Sequence, residues 1–179
     1  MKSKEKILVH KGMDRVKREQ FEEAMEFFDR VLEMNPENAD AWNNKGVALY
    51  GMGRPEEALE CYDRALAADP GNLEALRNSA FILRAMARFE EALETYEKII
   101  AFEPEAADFR NLATVLVGMG LLEGALGALI EAANMEPTIA VEREIEALRR
   151  VIMELSLRAE FGGGLAPGDG TGMDRPGEG

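Results

Sequence analysis

The chain has 179 residues, 34 of them acidic and 21 basic, for a net charge of −13, with one cysteine and one histidine. That length suits a single domain with a modest tail, and that charge opposes nucleic-acid binding, which needs positive surface against phosphate. Cys61 alone rules out an internal disulfide framework, and His10 alone leaves histidine metal clusters and Ser–His or Cys–His dyads without partners.

Ala and aliphatic residues dominate, Gly and Pro cluster at intervals, and no strand-like alternation appears, so the chain reads as all helix. No run is long or apolar enough to span a membrane. The apolar run Ile7, Leu8, Val9 near the start is too short for a signal-peptide core, and a cytoplasmic protein is the expectation. Residues 1–18 carry Lys2, Lys4, Lys6, Lys11, Arg15, Lys17 and Arg18 against Glu5 and Asp14, a net of +5 that leaves −18 for the rest. This first helical stretch reads as a solvated end face, with a surface for an acidic partner as the other possibility.

Four units follow, over about 5–38, 39–72, 73–105 and 106–137. The second is the clearest. Its first helix is expected over about 40–52 and its second over about 55–68, with Gly53 as a left-handed cap between them and Pro55 in the first turn of the second, where a missing N–H costs nothing. Trp42, Leu49 and Tyr62 fill the space around the small residues Gly46, Ala58 and Ala65, and Pro70 ends the unit. The pattern recurs: Pro36, Pro70, Pro104 and Pro137 are 34, 34 and 33 residues apart. Ala24, Ala58, Ala92 and Ala125 share one position, Phe28, Tyr62, Tyr96 and Leu129 the next, and Gly12, Gly46, Ala80 and Ala113 the small position of the first helix. Leu8 and Phe109 stand where Trp42 does, and the fourth unit is one residue short before its first helix.

Trp42, Gly46, Leu49, Ala58, Tyr62, Ala65 and Pro70 fall at the spacing W-x3-G-x2-[LY]-x8-A-x3-[FY]-x2-A-x4-P, which resembles the tetratricopeptide (TPR) repeat. Lys45 departs from it, since the family usually has Leu there. The resemblance implies an all-α, right-handed α-α superhelix, a TPR solenoid of four helix–turn–helix repeats, in which stacking buries faces that one unit cannot bury alone. It also implies that second helices form the convex exterior, where Glu22, Glu23, Glu26 and Asp29 become Glu56, Glu57, Glu60 and Asp63, then Glu90, Glu91, Glu94 and Glu97. Such an acidic exterior reads as solvation that favours a monomer.

By the family register, the first helices line a concave groove. Its positions fall on Lys6, Val9, His10, Met13, Val16 and Lys17, then on Asp40, Asn43, Asn44, Val47 and Tyr50. They continue on Glu74, Arg77, Asn78, Phe81 and Arg84, and on Arg110, Asn111, Thr114 and Val117. His10, Asn44, Asn78 and Asn111 share one position, similar to the asparagine ladder of the O-linked N-acetylglucosamine transferase superhelix. An Asn amide donates and accepts together and can hold a peptide backbone whatever its side chains; equally, Asn there is repeat consensus that stabilises the fold. Arg77, Arg84 and Arg110 put positive charge in this groove and point to a carboxylate ligand. Val9 and Met13 depart from the carboxylate clamp of chaperone-binding relatives, which has Lys and Asn there.

The fourth unit has Gly124, Gly127 and Ile130 where earlier units carry acid. Glycine within a helix costs about 1 kcal/mol against Ala, so two in one helix imply close approach of another backbone or local softness. Residues 138–160 read as one capping helix, with Thr138 as N-cap and a heptad-like seam of Val141, Ile145, Leu148, Ile152, Leu155 and Ala159. Glu142, Arg143, Glu144, Glu146, Arg149 and Arg150 form its wet side.

The function expected is a protein-interaction scaffold, not an enzyme, with no cofactor and no metal. It binds an extended, acidic peptide segment at Asn43, Asn44, Tyr50, Arg77, Asn78, Phe81, Arg84, Arg110 and Asn111. The alternative is a self-associating subunit whose fourth repeat and C-terminal helix form a homodimer interface. The carboxylates recur at helix-surface spacing and so argue solvation, not a paired acid and base. Cys61 beside Tyr62 reads as a packing residue.

The last stretch, 161–179, is Gly-rich and too poor in apolar residues to repay ordering. A chain ending at Glu160 is therefore expected to melt with the full-length protein; a loss of several degrees in Tm would show that the tail packs on the array.

Overall fold

A computed structural model describes residues 3–162. Among these residues every element is a helix: α1 (Ser3–Val16), α2 (Phe21–Met34), α3 (Ala39–Gly51), α4 (Pro55–Ala68), α5 (Leu73–Ala85), α6 (Phe89–Phe102), α7 (Ala106–Gly118), α8 (Leu122–Met135) and α9 (Ile139–Gly162). Helices α1 to α8 pair consecutively, each pair packs on the next, and α9 packs on α8, giving an all-α helical-repeat solenoid. First helices also touch one another, α1 with α3 and α3 with α5, and so form the inner rank of the curve.

Local chemistry sets the helix ends. The side chains of Asn38 and Asn72 accept from the backbone N–H of Ala41 and Ala75 at 2.9 Å each, capping α3 and α5. At α7, where the chain is one residue short, Glu105 and Asp108 form a reciprocal capping box instead. Thr138 accepts from the N–H of Val141 at 3.3 Å, as expected at the start of α9. Gly53 takes φ +74°, as its left-handed cap requires. The same turn position holds Glu19 at φ 58° and Ala87 at φ 57°.

The core is an aromatic ring laid on a small residue. Phe28, Tyr62 and Tyr96 are 0–2% exposed, each worth roughly 1.5–3 kcal/mol of burial. A Cβ on Gly46 would lie 2.5 Å from the Tyr62 ring, and one on Gly12 would strike Phe28. The small residue of the first helix therefore makes room for a ring. Lys45, the departure from the family's Leu, turns outward: its Nζ pairs with Asp29 of α2 at 2.6 Å and lies 5.5 Å from the centre of the Trp42 ring. Cys61 is buried beside it, and desolvation pushes its thiol up to about 11, which makes it a packing residue with little thiolate at neutral pH.

The C-terminal end differs from the sequence reading in two respects. Gly124 meets only the Leu116 side chain, at an ordinary 3.6 Å, and Gly127 meets nothing within 4 Å, so close backbone approach is not why α8 holds glycines. The expected seam of α9 is also only partly a seam. Val141, Ile145 and Leu148 are buried and Ile152 packs against the α8 cluster, whereas Leu155 is 48% exposed and Ala159 is exposed. The reason is length: α9 has 24 residues and α8 has 14, so the last turns of α9 run past their support. Helix α9 takes in residues 161 and 162; the rest of the Gly-rich tail lies outside the described residues.

This division predicts opposite outcomes for two leucines of one helix. Leu148→Glu buries an unpaired charge and is expected to cost about 3 kcal/mol or more, with exchange protection lost first around α8. Leu155→Glu is expected to stay within about 0.5 kcal/mol of wild type. Equal losses in urea unfolding would show that α9 packs along its whole length.

Candidate peptide groove

Four of the nine side chains assigned to the groove are committed to the array itself. Asn43 is 2% exposed; its amide donates to Glu74 at 3.3 Å and accepts from Asn78 at 3.0 Å. Arg77 pairs bidentately with Asp108, through Nε at 3.2 Å and a terminal nitrogen at 2.9 Å, and meets Glu105 at 2.8 Å. Its hydrogen bond to Asp108, and then the charges of Asp108 and Glu105, outweigh partial burial and push the guanidinium still higher than usual. Arg110 pairs with Glu144 of α9 at 2.6 Å. These contacts stitch α3 to α5, α5 to α7 and α7 to α9.

The remaining five differ. Asn44 is half-buried and donates to its own helix, to the Asp40 carbonyl at 2.7 Å. Asn111 is half-buried, and its amide makes no hydrogen bond among the described residues. Tyr50 and Phe81 are 40% and 45% exposed and meet edge to face, ring centres 5.8 Å apart. Arg84 lies with its guanidinium carbon 5.5 Å from the Phe81 ring centre. It joins no ion pair among the described residues, and its Nε is buried without a partner.

The inner rank therefore carries two kinds of polar side chain. Arg77 and Arg110 bridge repeats, while Arg84, with Tyr50 and Phe81, is left facing outward without a carboxylate. Sequence reasoning missed the acids that occupy the bridging arginines: Asp108 and Glu144 lie 31 and 34 residues beyond Arg77 and Arg110, near one repeat period. That spacing was the signal available. The shared ladder position is continued in α9 by Glu144 and not by a fifth amide. On the outer flank, Lys45, Arg54, Glu57 and Cys61 line a cleft of about 280 Å³, in which Arg54 and Glu57 pair with each other.

Among the described residues no group of acidic, Cys or His side chains could hold a metal ion, and no helix is long and apolar enough to cross a membrane.

The bridging role sets an expected cost. Asp108 is 5% exposed, and removing its partner leaves a buried carboxylate unpaired, so Arg77→Ala is expected to destabilise by about 3 kcal/mol. The Arg110–Glu144 pair is 44% and 41% exposed, and Arg110→Ala is expected to cost under about 1 kcal/mol. Urea midpoints of the two variants check this; equal losses would deny Arg77 its bridging role.

Two sequence models described as tetratricopeptide repeat match residues 10–73 and 49–116. Among solved structures, MamA 41-end from Desulfovibrio magneticus RS-1 is 20% identical, with 89% of this chain and 92% of that chain covered and a TM-score of 0.76. A structure of Pseudomonas aeruginosa PilF is 23% identical, over 92% of this chain and 78% of that one, with a TM-score of 0.73. YrrB, described as a TPR protein with an unusual peptide-binding site, is 24% identical over 76% of this chain and 71% of that one, with a TM-score of 0.66. No functionally curated protein matches the chain. At such identities the structural likenesses speak for the fold, and the two matching sequence models agree with it: the chain belongs to the tetratricopeptide repeat family.

Proposed function

We propose that this chain is a protein-interaction scaffold whose inner face takes an extended peptide segment, with an acidic side chain or a chain terminus seated at Arg84. The observation that carries this reading is the state of Arg84: a guanidinium with an unpartnered buried Nε and no ion pair, beside an exposed aromatic pair. Arg77 and Arg110, already neutralised by Asp108 and Glu144, give the ligand little further charge. Asn111 offers a free amide to a peptide backbone. Aromatic contacts and a single partly exposed ion pair support a modest affinity, on the order of micromolar, that weakens with salt.

A second reading, self-association, is favoured by the exposed end of α9, where Val151, Met153, Leu155 and Leu157 are 42–64% exposed. Four exposed apolar side chains at one helix end are few against the roughly 20–30 residues a side of a stable interface, so a monomer is the main expectation. Light scattering at high concentration decides: a dimeric mass that Leu155→Glu returns to the monomer would establish this second reading.

For the groove, an acidic peptide panel is the test. Arg84→Glu is expected to weaken acidic peptides about tenfold or more, a difference of ~1.4 kcal/mol, while the urea midpoint stays near wild type. Unchanged binding by Arg84→Glu would remove Arg84 from the site.

A further inference from the structure

One cleft on the inner face is absorbed by neither the core nor the Arg84 site. It has a volume of about 390 Å³ and lies between α7 and α9, walled by Ala113, Val117, Ala147, Leu148 and Val151, with Leu129 of α8 at its base. The Arg110–Glu144 pair closes one end.

The sequence explains why the cleft opens here. In the three earlier units the space beneath the inner rank is filled by Phe28, Tyr62 or Tyr96, each 0–2% exposed. At that position the fourth unit has Leu129. On α9, Ala147 stands where α5 and α7 carry Phe81 and Thr114. Two truncations at one junction leave a trough with apolar walls, open along a rim formed by Val117 and Val151, which are 46% and 45% exposed.

We propose that this trough is the anchor pocket for one bulky apolar side chain, Leu, Met or Phe, of the same extended acidic segment. The inference rests on the groove reading above and specifies its ligand. Two features support that occupant. The volume is at the small end of the range for ligand pockets, roughly 300–1,000 Å³, and so suits a side chain. The pocket is also continuous with the inner face on which Arg84 lacks a carboxylate. Arg84 lies on α5, and the trough begins at α7, the next first helix along. Neighbouring helices lie about 8–10 Å apart, and an extended chain rises about 3.3 Å per residue. The ligand therefore carries its acidic and its bulky apolar residue about three positions apart.

The test uses blocked synthetic peptides on the full chain. One is Gly-Ser-Glu-Ser-Gly-Leu-Ser-Gly, the second has Ala for Leu, and the third has Glu and Leu adjacent. The first is expected to bind at least tenfold tighter than the other two. Ala147→Phe fills the trough from an exposed position and is expected to remove that advantage while leaving the Ala peptide's affinity unchanged. Leu129→Tyr, which restores the residue type of the earlier units, is expected to do the same. If the Leu and Ala peptides bind wild type equally and Arg84→Glu weakens both, the anchor pocket is overturned and the groove stands. If no peptide binds, both are overturned. If Ala147→Phe instead changes the mass of the protein and not its Leu preference, the trough seats a second copy and the proposal fails.

Discussion

A large ring resting on a residue without a side chain is the contact from which the rest of this array follows. Phe28 lies over Gly12 and Tyr62 over Gly46 so closely that a methyl group on either glycine would have to displace the ring. The contact fixes how the two helices of a unit meet, and its repetition fixes how units stack. Ala24, Ala58, Ala92 and Ala125 are all 0% exposed, which leaves room for the neighbouring unit to approach. Burial on this scale, a few kcal/mol per ring, outweighs anything the surface ion pairs contribute. The exterior can therefore be given over to carboxylates without loss of the fold.

The ring contact was legible in the sequence because it repeats: a position held by Gly or Ala beside one that is Phe or Tyr in the first three units reads as a contact before any coordinate is known. The cap at Gly53 and the N-cap at Thr138 were legible for similar reasons, since each needs a particular backbone or a particular side-chain oxygen. The commitments of Arg77 and Arg110 were not legible. A groove position says which way a side chain faces and says nothing about whether a neighbour reaches it first. Asp108 settles this at Arg77, because the missing residue before α7 replaces the Asn cap of earlier units with a Glu105–Asp108 box and brings a buried acid within reach. The end of the α9 seam was hidden for another reason. Heptad spacing continues to Ala159, but burial stops where α8 stops, and helix length on a neighbouring element is not written into the period of α9.

The polar side chains of the inner rank thus sort by register. The position shared by Asn43, Arg77 and Arg110 points along the rank and bridges to the next first helix. The position shared by Tyr50, Arg84 and Val117 points outward from it. Tyr50 is 40% exposed and Val117 46% exposed, while Arg84 lies with Phe81 between them. Charge counted over a groove overstates what a ligand meets, because bridging charges are already neutralised and cost a ligand desolvation without return. Of the three groove arginines, Arg84 alone has no carboxylate partner among the described residues.

The same logic locates the weak junction of the array. An interior unit has its rings covered on both sides, so any large-to-small change there leaves a void that costs stability in proportion to its volume. At the last junction among the described residues the cover is one helix, α9, which answers α7 with Ala147 and Val151. Leu129 in place of an aromatic is tolerable there because the space it vacates opens to solvent and is not sealed as a cavity. A repeat array thereby acquires its open site where repetition ends. The residues that depart from the repeat at that end, Leu129 and Ala147, shape the cleft, while those that keep the repeat hold its walls in place.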